Sequence, residues 1–198
     1  MVSDVTELAR DVQMLMDERD IRRLLESYAR AADRKDAELK LAMYHEDGYD
    51  DHGNWRGLGH DWSQQRASAR FKVVWRIFGN LRIELDGDAA YSELYVFMVA
   101  QQPDGRPETH FQVLGARFLD TLARRESGWK IAFRRFVVDW TAVWDSQELH
   151  DPPHSAFNHG SSWPTDRVYQ VAETPEEWLA EPEKFGYVRG AGKKEEVQ

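Results

Sequence analysis

Residues 79–91, GNLRIELDGDAAY, decide the fold. Leu81, Ile83 and Leu85 alternate with polar residues, the period of a strand with one buried face. DGD at 86–88 is a tight-turn signal. The next stretch, AAYSELYVFMVA (89–100), is rich in aromatic and branched residues and reads as the returning strand. Farther on, PDGRP (103–107) reads as a longer hairpin loop and THFQVLGARFLDTLA (109–123) as a second long strand. RRESG (124–128) turns the chain, and WKIAFRRFVVDW (129–140) is a third. Sequentially adjacent strands usually pair, so these three are expected to form an antiparallel meander.

Before Gly79 the pattern is helical. Residues 5–32 carry a first apolar stripe, Val5, Leu8, Val12 and Leu15. A second follows at Ile21, Leu24, Leu25, Tyr28 and Ala32. DERD (17–20) offers a break between them, with Asp20 a candidate N-cap. Asp36 is placed to cap a short helix in AELKLAMY (37–44). GYDDHGNW (48–55) reads as a strand and turn, and HDWSQQRASARF (60–71) as a helix with Asp61 a candidate cap. Helices first and strands later indicate an α+β domain, here residues 1–140. From Thr141 the chain is rich in Pro, His, Ser and Trp. Residues 141–198 read as a C-terminal extension, with a short helix in TPEEWLAEPEKFGY (174–187) and disorder in the last residues.

The 198 residues suit one domain with a tail, and 41% hydrophobic residues suffice for a core. A net charge of −9 argues against a basic groove for nucleic acid. The absence of cysteine excludes disulfides, thiolate nucleophiles and cysteine metal sites. No basic segment followed by an apolar run opens the chain, and no apolar stretch approaches membrane-spanning length, so no membrane partner and a cytoplasmic location are expected.

The order of these features resembles the SnoaL-like branch of the nuclear transport factor 2 superfamily, over roughly residues 10–140. The features are a helix pair ending YxxAxDxxD, a short strand after HEDG, a helix, GNLRIELDGDAAY, and two long strands joined through RRESGWKI. The resemblance implies a cone-shaped, curved antiparallel sheet, closed by N-terminal helices around an apolar pocket. It implies cofactor-independent chemistry, with scytalone dehydratase-like and dehydrochlorinase-like lyases among the members. It also implies a homo-oligomer, a trimer before a dimer, with the arm covering the pocket mouth or crossing to a neighbouring subunit. Residue by residue, Asp33 falls where those lyases carry an aspartate paired with a catalytic histidine. Tyr28 falls on a polar pocket position and Arg134 on a pocket arginine. The family histidine is replaced by Arg76, so the usual His–Asp dyad cannot form there.

The expected catalytic set is therefore Asp33, Arg76, His110, Tyr28 and Arg134. A carboxylate in an apolar pocket is raised by desolvation and lowered by a neighbouring cation, and can serve as a base between those limits. Arg76 supplies fixed positive charge, either to that carboxylate or to a developing oxyanion; a structural ion pair is the plain alternative. His110 shares strand parity with Gln112, Leu114, Ala116 and Phe118 and is the candidate replacement acid or base. Arg134, on a row with Phe136 and Val138, needs an acidic partner or a ligand oxygen. Asp50, His52, Phe71, Val74, Leu114, Phe118 and Phe136 are expected to contact substrate. Asp50 and His52 can converge while Asp51 points away, too few ligands for a metal. His150, Asp151, His154 and His159 show no zinc spacing.

Two functions stand open. One is a cofactor-free lyase acting on a hydrophobic aromatic or polycyclic alcohol, by dehydration or by loss of a small fragment such as formaldehyde from a lignin-type aromatic dimer. An isomerase or cyclase using the same groups is its close variant. The other is a non-catalytic ligand-binding or oxygenase-partner module, in which Asp33 and Arg76 neutralise each other and side chains fill the pocket.

Overall fold

The computed structural model describes residues 5–53, 55–64, 71, 73–101, 110–145, 162 and 164–166. The chain divides into two compact units, Met1–Ala156 and Phe157–Gln198. In the second, the backbone N–H groups of Thr165 and Asp166 both bond to the Ser162 carbonyl, forming a turn. The loop at 103–107, most of the 141–198 extension and the tail histidines lie outside the described residues.

The first unit runs α1 (Val5–Asp33), α2 (Ala37–Ala42), β1 (Tyr44–Asp51), β2 (Arg56–Leu58), α3 (Gly59–Gln64), β3 (Val74–Asp86), β4 (Ala89–Gln101), β5 (His110–Arg125) and β6 (Gly128–Asp145). The strands form one sheet in the order β2-β1-β6-β5-β4-β3. The meander from β3 to β6 is antiparallel, as the alternation predicts. Gly87 and Gly128 take positive φ at its tight turns, +60° and +82°. The sheet as a whole is mixed, because β1 lies parallel to β6. These two strands are far apart in sequence and no hairpin joins them, so nothing forces an antiparallel pairing. The sheet is also open: β2 and β3 remain as edges.

Helix α1 is continuous, so DERD is not a break and Asp20 caps nothing. Asp17 is used sideways. It accepts hydrogen bonds from Trp129 Nε1 at 2.9 Å and Arg124 Nη1 at 2.7 and 2.9 Å, clamping the helix to the β5–β6 turn. From there Ile21, Leu25, Tyr28, Ala31 and Ala32 are buried. Ile21 and Leu25 are wholly buried and contribute about 1.5–3 kcal/mol each. The earlier stripe, Val5, Leu8, Val12 and Leu15, stays exposed. Asp36 does cap α2, accepting from Leu39 N–H at 3.0 Å. Asp36→Ala is expected to cost about 0.5–2 kcal/mol, read from a urea midpoint shift without a change in slope. Asp61 falls inside the first turn of α3 and is not a cap.

Four bulges set which side chains face inward. In β3, Gly79 and Asn80 both lie opposite Tyr95, between the pairs Phe78–Val96 and Leu81–Leu94. The extra residue flips the parity. Val74, Arg76 and Phe78 face the helices above it, and Leu81, Ile83 and Leu85 below it, while Trp75 and Ile77 are exposed. The strand thus starts at Val74, upstream of the stretch where alternation becomes visible. In β6, Ala132 is extra between the pairs Leu122–Ile131 and Thr121–Phe133, which turns Arg134 onto the side of Ile131. A second β6 bulge at Asp139 sends Trp140 to the outer face, where its indole fills the space over Gly115. β1 is bulged between Tyr44 and Tyr49. A side chain at Gly48 would meet the Ile131 and His45 carbonyl oxygens at 2.7 and 2.9 Å, so only glycine lets β1 approach β6 there. Tyr44 and Asp50 both end up inside.

Candidate active site

Between α1, α2, α3 and the inner sheet face lies an aromatic enclosure holding three polar pairs. The first is Asp33–Arg76. The Arg76 backbone N–H donates to Asp33 Oδ2 at 2.9 Å, and Arg76 Nη1 donates to Oδ1. Both carboxylate oxygens are therefore engaged. Desolvation raises the Asp33 carboxyl above its ordinary value, against the lowering by Arg76. The expected contact of Asp33 with Arg76 is present, at the end of α1 where the helix dipole is unfavourable to a carboxylate.

The second pair is Asp50–His52. Asp50 is wholly buried and accepts from the Tyr44 hydroxyl at 2.5 Å and from His52 Nδ1. His52 Nε2 has no hydrogen bond among the described residues. The imidazole is packed among rings: Trp62 at 4.1 Å between centroids, Phe136 at 5.0 Å and Phe118 at 6.2 Å. Burial pushes His52 below its ordinary value, with Asp50 pulling the other way. Burial thus favours the neutral ring, with Nδ1 directed at Asp50 and Nε2 without a hydrogen bond among the described residues. Asp51 points out to Arg56 and Arg135.

The third pair is Asp120–Arg134, both side chains wholly buried. Arg134 Nε and Nη2 donate to the two Asp120 oxygens at 2.7 and 2.6 Å. The guanidinium carbon lies 4.3 Å from the Tyr28 ring centroid and 4.0 Å from that of Phe118. Desolvation opposes the Arg134 charge, and Asp120 together with Tyr44 and Tyr28 outweighs it, keeping the group protonated. Arg134 Nη1 and Trp62 Nε1 are buried donors without a partner among the described residues. The Tyr28 hydroxyl, itself raised by burial, is near enough to Trp62 to feel it, without a hydrogen bond of good geometry.

Of the residues singled out from sequence, Tyr28, Asp33, Asp50, His52, Arg76, Phe118, Arg134 and Phe136 come together here. Phe71, Val74 and Leu114 are buried in the same apolar cluster. Leu114, Ala116 and Phe118 are buried and face inward. His110 itself opens β5 opposite Asp145, and its side chain lies outside what is described. Sequence reasoning missed Asp120, Tyr44, Trp62 and Lys40. Asp120 had a legible signal, a carboxylate on the inward row of Phe118 and Leu122.

Lys40 is 6% exposed and donates from Nζ to the Trp62 carbonyl at 3.3 Å. Burial, with Arg76 second, lowers it from its ordinary 10.5 to about 8. Between those values the unfolded chain holds a proton that the folded chain has released, so stability rises with pH across that window. Lys40→Met is expected to flatten the rise. Urea midpoints of both proteins across the window measure it; parallel curves would place the Lys40 ammonium in water.

Among the described residues no three His, Asp or Glu side chains are arranged to hold a metal ion, and no helix is long and apolar enough to cross a membrane. A depression of about 320 Å³ lies on the other face of the sheet, lined by Arg82, Glu84, Tyr91, Glu93, Phe133 and Arg135. Of the residues above, Asp120 and Arg135 contribute to its lining, and Asp33, Arg76, Asp50, His52 and Lys40 do not.

A model of the SnoaL-like domain family matches residues 13–135. No curated protein matches in sequence. Among solved structures, a hexachlorocyclohexane dehydrochlorinase, LinA-type3, from Novosphingobium barchaimii LL02 superimposes with a TM-score of 0.64 at 15% identity, over 72% of this chain and 99% of that one. A candidate scytalone dehydratase from Novosphingobium aromaticivorans DSM 12444 gives 0.59 at 20% identity, over 67% and 91%. An NTF2-like protein with a cystatin-like fold from Novosphingobium aromaticivorans gives 0.60 at 20%, over 70% and 92%. At such identities these likenesses show a shared fold, the NTF2-like one.

Proposed function

The chain belongs to the SnoaL-like domain family, and from that premise we propose that it is a cofactor-independent lyase, or an isomerase of the same chemistry, with His52 as its base. The observation that carries this reading is the orientation of one imidazole: Asp50 holds Nδ1, and Nε2 is left free among aromatic rings. A neutral imidazole with its far nitrogen on a buried carboxylate is the arrangement of a general base, because the carboxylate fixes the tautomer and stabilises the imidazolium that forms. The histidine expected where Arg76 stands is thus replaced by one just past the end of β1. Asp33, with both oxygens on Arg76, serves to neutralise that guanidinium at the polar edge of the enclosure.

The substrate class follows from the lining. Trp62, Phe118 and Phe136 suit a flat aromatic or polycyclic body. His52 would take a proton from carbon beside a benzylic or allylic hydroxyl, and return it as water departs. A dehydrochlorinase and a candidate dehydratase among the structural neighbours fit such an elimination. Loss of formaldehyde from a lignin-type aromatic dimer is the finer version, with the proton taken from the departing hydroxymethyl group. One observation favours the non-catalytic module instead: Asp33 and Arg76 do neutralise each other.

The test is turnover of a panel of benzylic, aromatic-dimer and steroid alcohols with a chelator present, read by mass spectrometry as loss of water or formaldehyde. His52→Ala is expected to lower turnover about 10²–10⁴-fold, and Asp33→Asn much less. Collapse in Asp33→Asn with His52→Ala intact would move the base to Asp33. No turnover by the unaltered protein would favour the binding module.

A further inference from the structure

The dyad leaves one buried ionisable group without a use. Lys40 sits on α2, and a buried ammonium is costly unless a carboxylate pairs with it. Lys40 has no ion pair among the described residues; its one hydrogen bond, to the Trp62 carbonyl, is long at 3.3 Å. The groups that face it are mixed in sign. Arg76 from β3 and Arg134 from β6 repel its charge, and Asp50 from β1 attracts it. Asp33 on α1 is taken up by Arg76, Asp36 on its own helix is taken up as the cap, and among the described side chains of α3 it meets the Trp62 carbonyl and ring. The position is inside the site: Nζ lies 5.1 Å from the centroid of Trp62, whose ring packs on His52 at 4.1 Å. The Lys40 charge is also felt by His52.

An amine that is buried, beside other cations and without a paired carboxylate is the setting in which lysine becomes a nucleophile. Two further donors support the kind of electrophile it would meet. Arg134 Nη1 and Trp62 Nε1 are buried N–H groups without a hydrogen bond of good geometry among the described residues. A buried unpaired donor is costly, and a ligand oxygen would relieve it.

We propose that Lys40 forms an imine with an aromatic aldehyde or ketone bound in the enclosure. The neutral amine's lone pair attacks the carbonyl carbon, and the oxygen, held by the orphan donors, takes up a proton. The resulting carbinolamine expels that oxygen as water, leaving a C=N bond to Nζ. Where the carbon beside the C=N bond carries a hydrogen, the protonated imine draws electrons from it, and His52 is placed to accept that proton. No oxidant, reductant or metal is consumed. This goes beyond the dyad reading and adds a carbonyl-bearing aromatic to the substrate class.

The experiment treats the full chain with benzaldehyde and sodium cyanoborohydride at about pH 7, which fixes any imine as a benzylamine. Peptide mass spectrometry then compares every lysine. A group titrating near 8 carries on the order of a hundredfold more neutral amine at that pH than an ordinary lysine. Labelling of Lys40 at least roughly tenfold faster than Lys130 is therefore expected, allowing for slower entry into the enclosure. It should persist in His52→Ala, since imine formation does not require the dyad. Lys40 unlabelled, or labelled no faster than Lys130, would overturn the proposal. Because the readout needs no turnover, its failure leaves the lyase reading standing, and the reverse holds as well.

Discussion

Asp120→Ala should lower the folding stability by about 3–5 kcal/mol, the cost of leaving a buried guanidinium unpaired. Against a typical total of about 5–15 kcal/mol, that places much of the protein unfolded on mild warming. The reasoning is local. Arg134 has no exposure, and its two charged contacts are both to Asp120. Tyr28 and Phe118 cover its flat faces, so water cannot replace the lost carboxylate without opening the core. The double variant Asp120→Leu, Arg134→Met removes both charges and should recover most of the loss, because the penalty belongs to the unpaired partner. Urea unfolding followed by tryptophan fluorescence measures both. A loss below about 1 kcal/mol for the single variant, in the range of solvated pairs, would mean that water already reaches Arg134.

Asp50→Asn should lower turnover by about 10²–10⁴-fold while the fold survives. The amide keeps the carboxylate's size and still accepts from the Tyr44 hydroxyl. It loses the negative charge that stabilises the His52 imidazolium and the preference for Nδ1–H. A second reading needs no substrate. Burial already pushes His52 down and Asp50 pulls it up, so removing that charge must lower it further. An NMR titration of the ring protons of both proteins checks this. The sign carries over to activity: the base works as the neutral ring, so the rate rises with pH through its depressed pKa and then levels. An identical His52 titration in Asp50→Asn would show that the two side chains do not act together.

Much of the architecture was legible because local patterns and tertiary structure agree in it. LRIEL, DGD and AAYSELYVFMVA gave a hairpin that exists, and Asp36 caps the helix it was expected to cap. DERD was misread because acidic residues mid-chain look like a cap, whereas Asp17 is recruited by Trp129 and Arg124 more than 100 positions later. The parallel β1–β6 contact has no local signature at all. In the site, the shared rows of Arg134 with Phe136 and of Leu114 with Phe118 could be read from alternation, their inward side only from the family resemblance, and the convergence of Asp50 with His52 from spacing. Their joint role could not, since the free nitrogen of His52 depends on Trp62 and Phe136 closing over it from α3 and β6. Lys40 was invisible for a related reason: a lysine in AELKLA looks like any solvated helix residue until α3 covers it.

The bulge at Gly79–Asn80 works as a reading frame for the wall of the enclosure. Loss of one residue there would shift everything upstream in β3 by a single step relative to β4. Trp75 and Ile77 would rotate inward, and Arg76 would swing out to solvent, leaving Asp33 behind as a solitary carboxylate. The same strand therefore encodes two linings, one cationic and one wholly apolar, interleaved on opposite faces. A one-codon deletion, with no substitution anywhere, is enough to exchange them.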